Sequence, residues 1–209
     1  MGNIMNLDDK FNELLRFLKT NPEFLSIRRR DFDLNRQEDI NYLRDRFKSQ
    51  RRTEILLSEP KTVSDIAVDH ILHSSRGYDN KKLKAIQSEH KLVMSAENLV
   101  GELLEMYIAE KLEPFGWIWC SGNFVKAVDF IYPKDNDTWN CLQIKNRDNT
   151  ENSSSSKIRD GKEINKWFRA YSRKDATNWE NFPDLDPRIK LTEEEFLEFV
   201  RKSVKKEDT

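Results

Sequence analysis

Apolar residues return every three or four positions through most of the first half of the chain. Leu7, Phe11, Leu14, Leu15 and Leu18 predict an amphipathic helix over residues 7–19, which Asn21 and Pro22 interrupt. Ile40, Leu43, Phe47, Ile55 and Leu56 continue that spacing and predict a helix over residues 36–58, ended by Pro60. Thr62, Ser64 and Asp65 supply capping groups for a third helix carrying Ile66, Val68, Ile71 and Leu72, and Gly77 stops it. A long helix follows, starting at Lys81 or at Ser95 and closed after Leu112 by Pro114 and Gly116.

The period changes at Gly116. Residues 117–120 read as a short aromatic strand between two glycines, residues 125–132 as a second strand and residues 139–145 as a third. The polar stretch 133–138 makes the last two a hairpin. Beyond a polar tract at 146–156, Ile164, Trp167, Phe168 and Tyr171 recur at helical spacing. Residues 192–204 predict a final amphipathic helix, opened by the capping box that Thr192 and Glu195 form. Helices, three strands, then helices predict an α/β or α+β chain with a small, mostly antiparallel central sheet. A helical N-terminal region (1–90) and a core with C-terminal helices (91–209) then share one compact unit.

Composition narrows the function classes. The 209 residues carry 36 Lys and Arg against 37 Asp and Glu, a net charge of -1, which excludes a histone-like or polybasic protein. Charged residues make up 35%, yet 12 Phe, 5 Trp and 5 Tyr still supply a core. Apolar runs last only a few residues, and the N-terminus lacks the core of a signal peptide, so no membrane partner is expected. Cys120 and Cys141 each sit in a strand-like run and read as buried free thiols. These features together predict a soluble cytoplasmic protein.

The chemistry concentrates on the hairpin. Gln143 and Lys145 alternate with Leu142 and Ile144, so they share one face of their strand, and pairing across the turn brings Asp129 beside it. A lysine two residues from another polar side chain in an apolar strand is costly to bury unless it meets a carboxylate, a phosphate or a metal-bound water. Asp129 offers a charged oxygen and Gln143 a neutral one, as a hard Mg²⁺ ion requires. Lys145 can orient an attacking water or stabilise developing charge. A further carboxylate can come from the preceding helix, which offers Glu97, Glu102 and Glu105. On a helical wheel Glu97 lies at the edge of the apolar arc, Glu105 beyond it beside Gly101, and Glu102 on the far side. Periodicity leaves the choice open.

Gly101-x-x-x-Glu105, then Gly116, then Val128-Asp129, then Gln143-x-Lys145 resembles the PD-(D/E)xK nuclease superfamily, including the layout of archaeal Holliday-junction resolvases. That resemblance implies Glu105 as the helix acid. It also implies a restriction endonuclease-like core, a small central sheet flanked by helices, with the helical N-terminal portion added. Residues 95–105, 117–122, 126–131 and 142–156 are similar to the SinI-type restriction endonucleases, a likeness running from about Pro60 to Pro183. It implies Mg²⁺-dependent cutting of double-stranded DNA at a short GC-rich palindrome of the G-G-W-C-C kind. Glu105, Asp129 and Gln143 would hold the metal and Lys145 would complete the catalytic set. A palindromic site implies a homodimer, and a cognate DNA methyltransferase would be the genetic partner. Gln143 departs from the superfamily, where Glu or Asp is commoner, and it removes one negative charge from the metal site.

The same likeness assigns the polar tract to DNA. Asn146, Arg147, Asn149, Asn152, Ser153, Ser154, Ser155, Ser156, Lys157 and Arg159 are side-chain types that read base edges and phosphates. On composition alone the four serines equally describe a linker. From Lys145 to Lys174 nine basic residues face four acidic ones, so a local basic patch hides within the neutral total. Three rival functions stand beside this one: a repair or junction-resolving nuclease of the same superfamily, a DNA-binding module with a decayed site, which Gln143 keeps open, and a helical interaction protein with an incidental hairpin.

Overall fold

The computed structural model describes residues 5–27, 29–58, 62–134, 137–148, 163–183 and 186–205. Helix α1 (Leu7–Thr20) is opened by Asn6, whose side chain accepts from the Asp9 amide at 2.9 Å. Its apolar stripe, Phe11, Leu14, Phe17 and Leu18, is buried. Helix α2 (Gln37–Ser49) ends well before the expected residue 58. The chain leaves the helix where Arg51 turns inward, donating to the Trp119 carbonyl at 2.8 Å and to Ser121 at 3.0 Å. Ile55 keeps its predicted burial by a different route, as a bridge to Val204 at the C-terminus.

Asp65 caps α3 (Ile66–Arg76) through the Ala67 amide, and Gly77 ends it at a φ of +68°. Asp79 caps α4 (Asn80–Leu112), which therefore takes the earlier of its two possible starts. Its 33 residues span about 50 Å at 1.5 Å per residue. Thr192 accepts from the Glu195 amide and opens α5 (Glu193–Ser203), as the capping pattern predicts.

One sheet holds β1 (Ile118–Trp119), β2 (Phe130–Pro133), β3 (Trp139–Arg147) and β4 (Ile164–Ala170), in that spatial order. The first three pair antiparallel, and the predicted hairpin is β2–β3, with Phe130 opposite Leu142. Strand β4 corrects the expected helix over 164–171. It runs parallel to β3, placing Ile164 beside Cys141, Lys166 beside Gln143 and Phe168 beside Lys145. The spacing of Ile164, Trp167, Phe168 and Tyr171 fits a helix, but only Trp167 is buried within β4. Without β4, the amides and carbonyls along the far edge of β3 would lack partners, and that long-range demand overrides the local period.

The sheet has a layer of helices on each face. Phe11, Phe17, Phe24 and Phe47 from the N-terminal helices cover Ile118, Ile131 and Cys141. On the other face Leu104, Tyr107 and Leu112 of α4 and Phe196 of α5 pack with Trp119, Phe130, Leu142 and Trp167. Alternation along β3 therefore sends Cys141 toward the α1–α2 side and Leu142 and Ile144 toward α4. Cys120 and Cys141 are buried and free, as the sequence suggests. Among the described residues no helix is long and apolar enough to cross a membrane.

Candidate active site

Strand β2 begins late, and that makes the site. Residues 125–129 were expected to continue it, but Ala127 sits in the left-handed region at a φ of +67°, and the chain peels away from β3. Only Asp129 stays close. Its amide donates to the Leu142 carbonyl and its carbonyl accepts from the Cys120 amide, both at 2.9 Å. Its Oδ2 accepts from the Ile144 amide at 2.6 Å, standing in for the strand carbonyl that the departed backbone no longer supplies. The paired register ends with Phe130 opposite Leu142, and Asp129 meets β3 through Leu142 and Ile144, the two residues that flank Gln143.

Glu105 reaches this point from α4. Its Oε2 accepts from the Trp119 indole Nε1 at 2.9 Å, so a side chain that the sequence marks only as core fixes the acid's orientation. Trp119 is itself anchored: its amide donates to Glu113 at 3.2 Å, and Glu113 also binds Lys10 at 2.6 Å and Arg51 at 2.8 Å. Burial pushes the Glu105 carboxyl well above the ordinary carboxylate range, and the neighbouring Asp129 charge pushes it further. Asp129 is likewise raised by burial, while the Ile144 amide and the Lys145 charge pull it back. Two carboxylates close enough to repel, one lysine acting on both and the nearly buried Gln143 thus share one end of the β2–β3 hairpin.

The other helix acids have different surroundings, although the Glu102 charge also acts on Glu105. Glu102 pairs with Arg52 at 2.9 Å, and Glu97 is exposed on α4. Lys166 joins the site's side of the sheet through the parallel register with Gln143. Its position is not legible in the sequence, where the spacing of Ile164, Trp167, Phe168 and Tyr171 fits a helix. Of the tract assigned to DNA, Asn146 and Arg147 are described: Asn146 accepts from Arg169 at 3.0 Å, and Arg147 lines an open concavity with Arg169, Arg173 and Lys174. Asn149, Asn152, Ser153 to Ser156, Lys157 and Arg159 lie outside the described residues.

The donor set suits a hard divalent cation. Like charges held together in a poorly solvated corner are stabilised by a positive ion, and Gln143 adds a neutral oxygen beside them. Among the described residues no group of three or more His, Cys, Asp or Glu stands together.

The family model of the SinI restriction endonuclease matches residues 3–206, nearly the whole chain. The chain belongs to the SinI restriction endonuclease family. The type II restriction enzyme Eco47I of Escherichia coli is 51% identical over 199 residues, covering 93% of this chain and 86% of that protein. The type II restriction enzyme SinI of Salmonella infantis is 48% identical over 207 residues, covering 96% of this chain and 88% of that one. Membership makes this chain a type II restriction endonuclease, a site-specific deoxyribonuclease. Enzymes of this type act on double-stranded DNA and generally need a divalent metal.

The raised Glu105 carboxyl has a thermodynamic consequence. Without metal, the folded family member holds a proton on this pair at pH values where the unfolded chain has released it. The folded state therefore binds more protons, and this contribution to stability falls as pH rises above the ordinary carboxylate range. Glu105→Gln keeps an oxygen for the Trp119 indole and removes the repulsion. It should raise the metal-free melting temperature at pH 8 more than at pH 5, each recovered kcal/mol adding about 2–4 °C. Thermal melts in chelator at the two pH values read the difference; an equal shift at both would remove the charge pair as its cause.

Proposed function

We propose that this endonuclease works by the PD-(D/E)xK scheme, with Glu105, Asp129 and Gln143 holding Mg²⁺ and Lys145 acting on the reacting phosphate. The observation that carries the reading is the convergence of the mutually repelling Glu105 and Asp129 with Lys145 at the open end of the β2–β3 hairpin. When bound, Mg²⁺ supplies a positive charge that polarises the phosphoryl oxygen and lowers the pKa of a water. Asp129 is held in place by the Ile144 amide and Glu105 by the Trp119 indole, so both acids are oriented in advance. Lys145 extends from the same strand face as Gln143, where its ammonium can orient the attacking water or stabilise the charge that develops.

The substrate in this reading is double-stranded DNA carrying a short GC-rich palindrome of the G-G-W-C-C kind, cut by a homodimer whose symmetry mirrors the site. The N-terminal helices (1–90) and the nuclease core (91–209) act as one compact unit. A digest of sequenced phage DNA tests it: discrete fragments that form with Mg²⁺, vanish with chelator and map to one palindrome are expected. Cutting only at branched or damaged DNA would favour a structure-reading nuclease. Tight binding without cutting would favour a decayed site, the outcome that Gln143 makes worth testing.

The tract beyond β3 should carry specificity as well as affinity. Arg147 lies on the exposed end of β3, two residues past Lys145. Loss of a base contact from Arg147 or Asn149 should cost about 1–3 kcal/mol at one base-pair position. Loss of a phosphate contact, assigned to Lys157, should weaken all sequences equally and lower the salt slope by about one. Replacing Ser153 to Ser156 by Gly-Ser repeats separates recognition from linkage. Unchanged cleavage and unchanged discrimination against one-base variants would make the serines a linker.

A further inference from the structure

The first half of α4 and the whole of α3 form an arm that the body of the protein barely covers. Helix α3 buries none of its 11 residues, and before Leu103 α4 buries only Leu83 and Ser95. Ten large hydrophobic residues are exposed among those described, and six of them, Val63, Ile66, Val68, Ile71, Leu92 and Val93, belong to this arm or its approach. So uneven a distribution marks a contact surface rather than scattered exposure. Between the two helices lies an open cavity of about 440 Å³, where Val63, Val68, Leu72, Ile86 and Met94 stand among polar side chains. An isolated 11-residue helix is marginal in water, so α3 gains most from being covered.

Charge along α4 points to what covers it. Lys82, Ile86, Glu89, His90, Val93 and Glu97 recur at steps that keep them on one side of the helix. All but Ile86 are exposed. The row is basic at its start and acidic at its end, and between them Ile86 and Val93 flank Glu89 and His90. It is complementary to itself when reversed. Antiparallel pairing about a two-fold axis near Glu89 sets Lys82 opposite Glu97 of a second copy, Ile86 opposite Val93, and Glu89 opposite His90. A parallel pairing would set Lys82 against Lys82. We infer that the α3–α4 arm is the isologous surface on which a second copy of this chain docks, with the two α4 helices antiparallel. The inference rests on the two-fold reading for its choice of occupant and adds the surface that achieves it.

Sedimentation velocity of the full chain at micromolar concentration, without DNA or metal, tests it. The wild-type chain should run as a dimer. Val93→Glu sets a carboxylate against Ile86 and should weaken association about a hundredfold or more, leaving monomer. Lys82→Glu and Glu97→Lys should each weaken it about tenfold, and K82E/E97K together should restore the dimer. That recovery cannot come from unfolding, because both positions are exposed. A wild-type monomer would overturn the surface and the two-fold reading together. A dimer untouched by Val93→Glu and by both single reversals would overturn the surface alone. A dimer that dissociates as described yet fails to cut the phage DNA with Mg²⁺ would support the surface and count against the catalytic scheme.

Discussion

Asp129→Asn should abolish cleavage and strip the site of its metal. The substitution keeps the shape of the side chain and leaves an amide oxygen to accept from the Ile144 amide, which now binds Oδ2 at 2.6 Å. The hairpin should therefore keep its geometry, and the metal-free protein should melt no lower than the wild type, because the repulsion between Asp129 and Glu105 is gone. What disappears is the negative charge that a hard cation prefers. Removing a residue that only supports a ligand commonly lowers metal affinity 10- to 100-fold, so losing a ligand itself should cost more than about 100-fold. Calorimetric titration with Mg²⁺ beside a plasmid digest reads both effects. A protein that still titrates the ion and cuts normally would place the metal elsewhere. Gln143→Glu is the companion, since it supplies a third carboxylate next to Asp129 and Glu105. Retained activity with an altered preference among divalent ions is expected if Gln143 touches the metal, and indifference to the change would exclude it.

Lys145→Ala should lower the cleavage rate about 10²–10³-fold, the cost of removing one donor aimed at developing charge. Binding of uncut DNA should change little, because the lysine acts chiefly in the transition state. Single-turnover cleavage and equilibrium binding of the same duplex separate the two quantities. A variant that cuts at nearly the wild-type rate would remove Lys145 from the chemistry. The lysine's charge also holds Asp129 and Glu105 down toward their ionised forms. The variant should therefore need a higher pH to reach its own plateau, because both acids lose the cation that favours their ionisation.

Much of this enzyme is decided by neighbours in sequence. The caps at Asn6, Asp65 and Thr192 each serve an amide two or three residues away, so the starts of α1, α3 and α5 are local events. The β2–β3 hairpin is local too, and alternation alone puts Gln143 and Lys145 on one face. Asp129 beside them follows from the short connection. Tertiary structure decided the rest. Strand β4 pairs with β3 across the long segment between them, and its sequence satisfies a helical period equally well. Only the demand of β3 for hydrogen-bond partners makes it a strand, and with it places Lys166 by Gln143. The choice among three acids on α4 was likewise beyond a helical wheel, which assigns faces but not neighbours. Glu105 meets Asp129 because the Trp119 indole binds it and because Glu113, Lys10 and Arg51 fix the strand that carries Trp119. Period and capping act within a few residues and survive without a fold, whereas the repulsion between Glu105 and Asp129 exists only once burial removes the water between them.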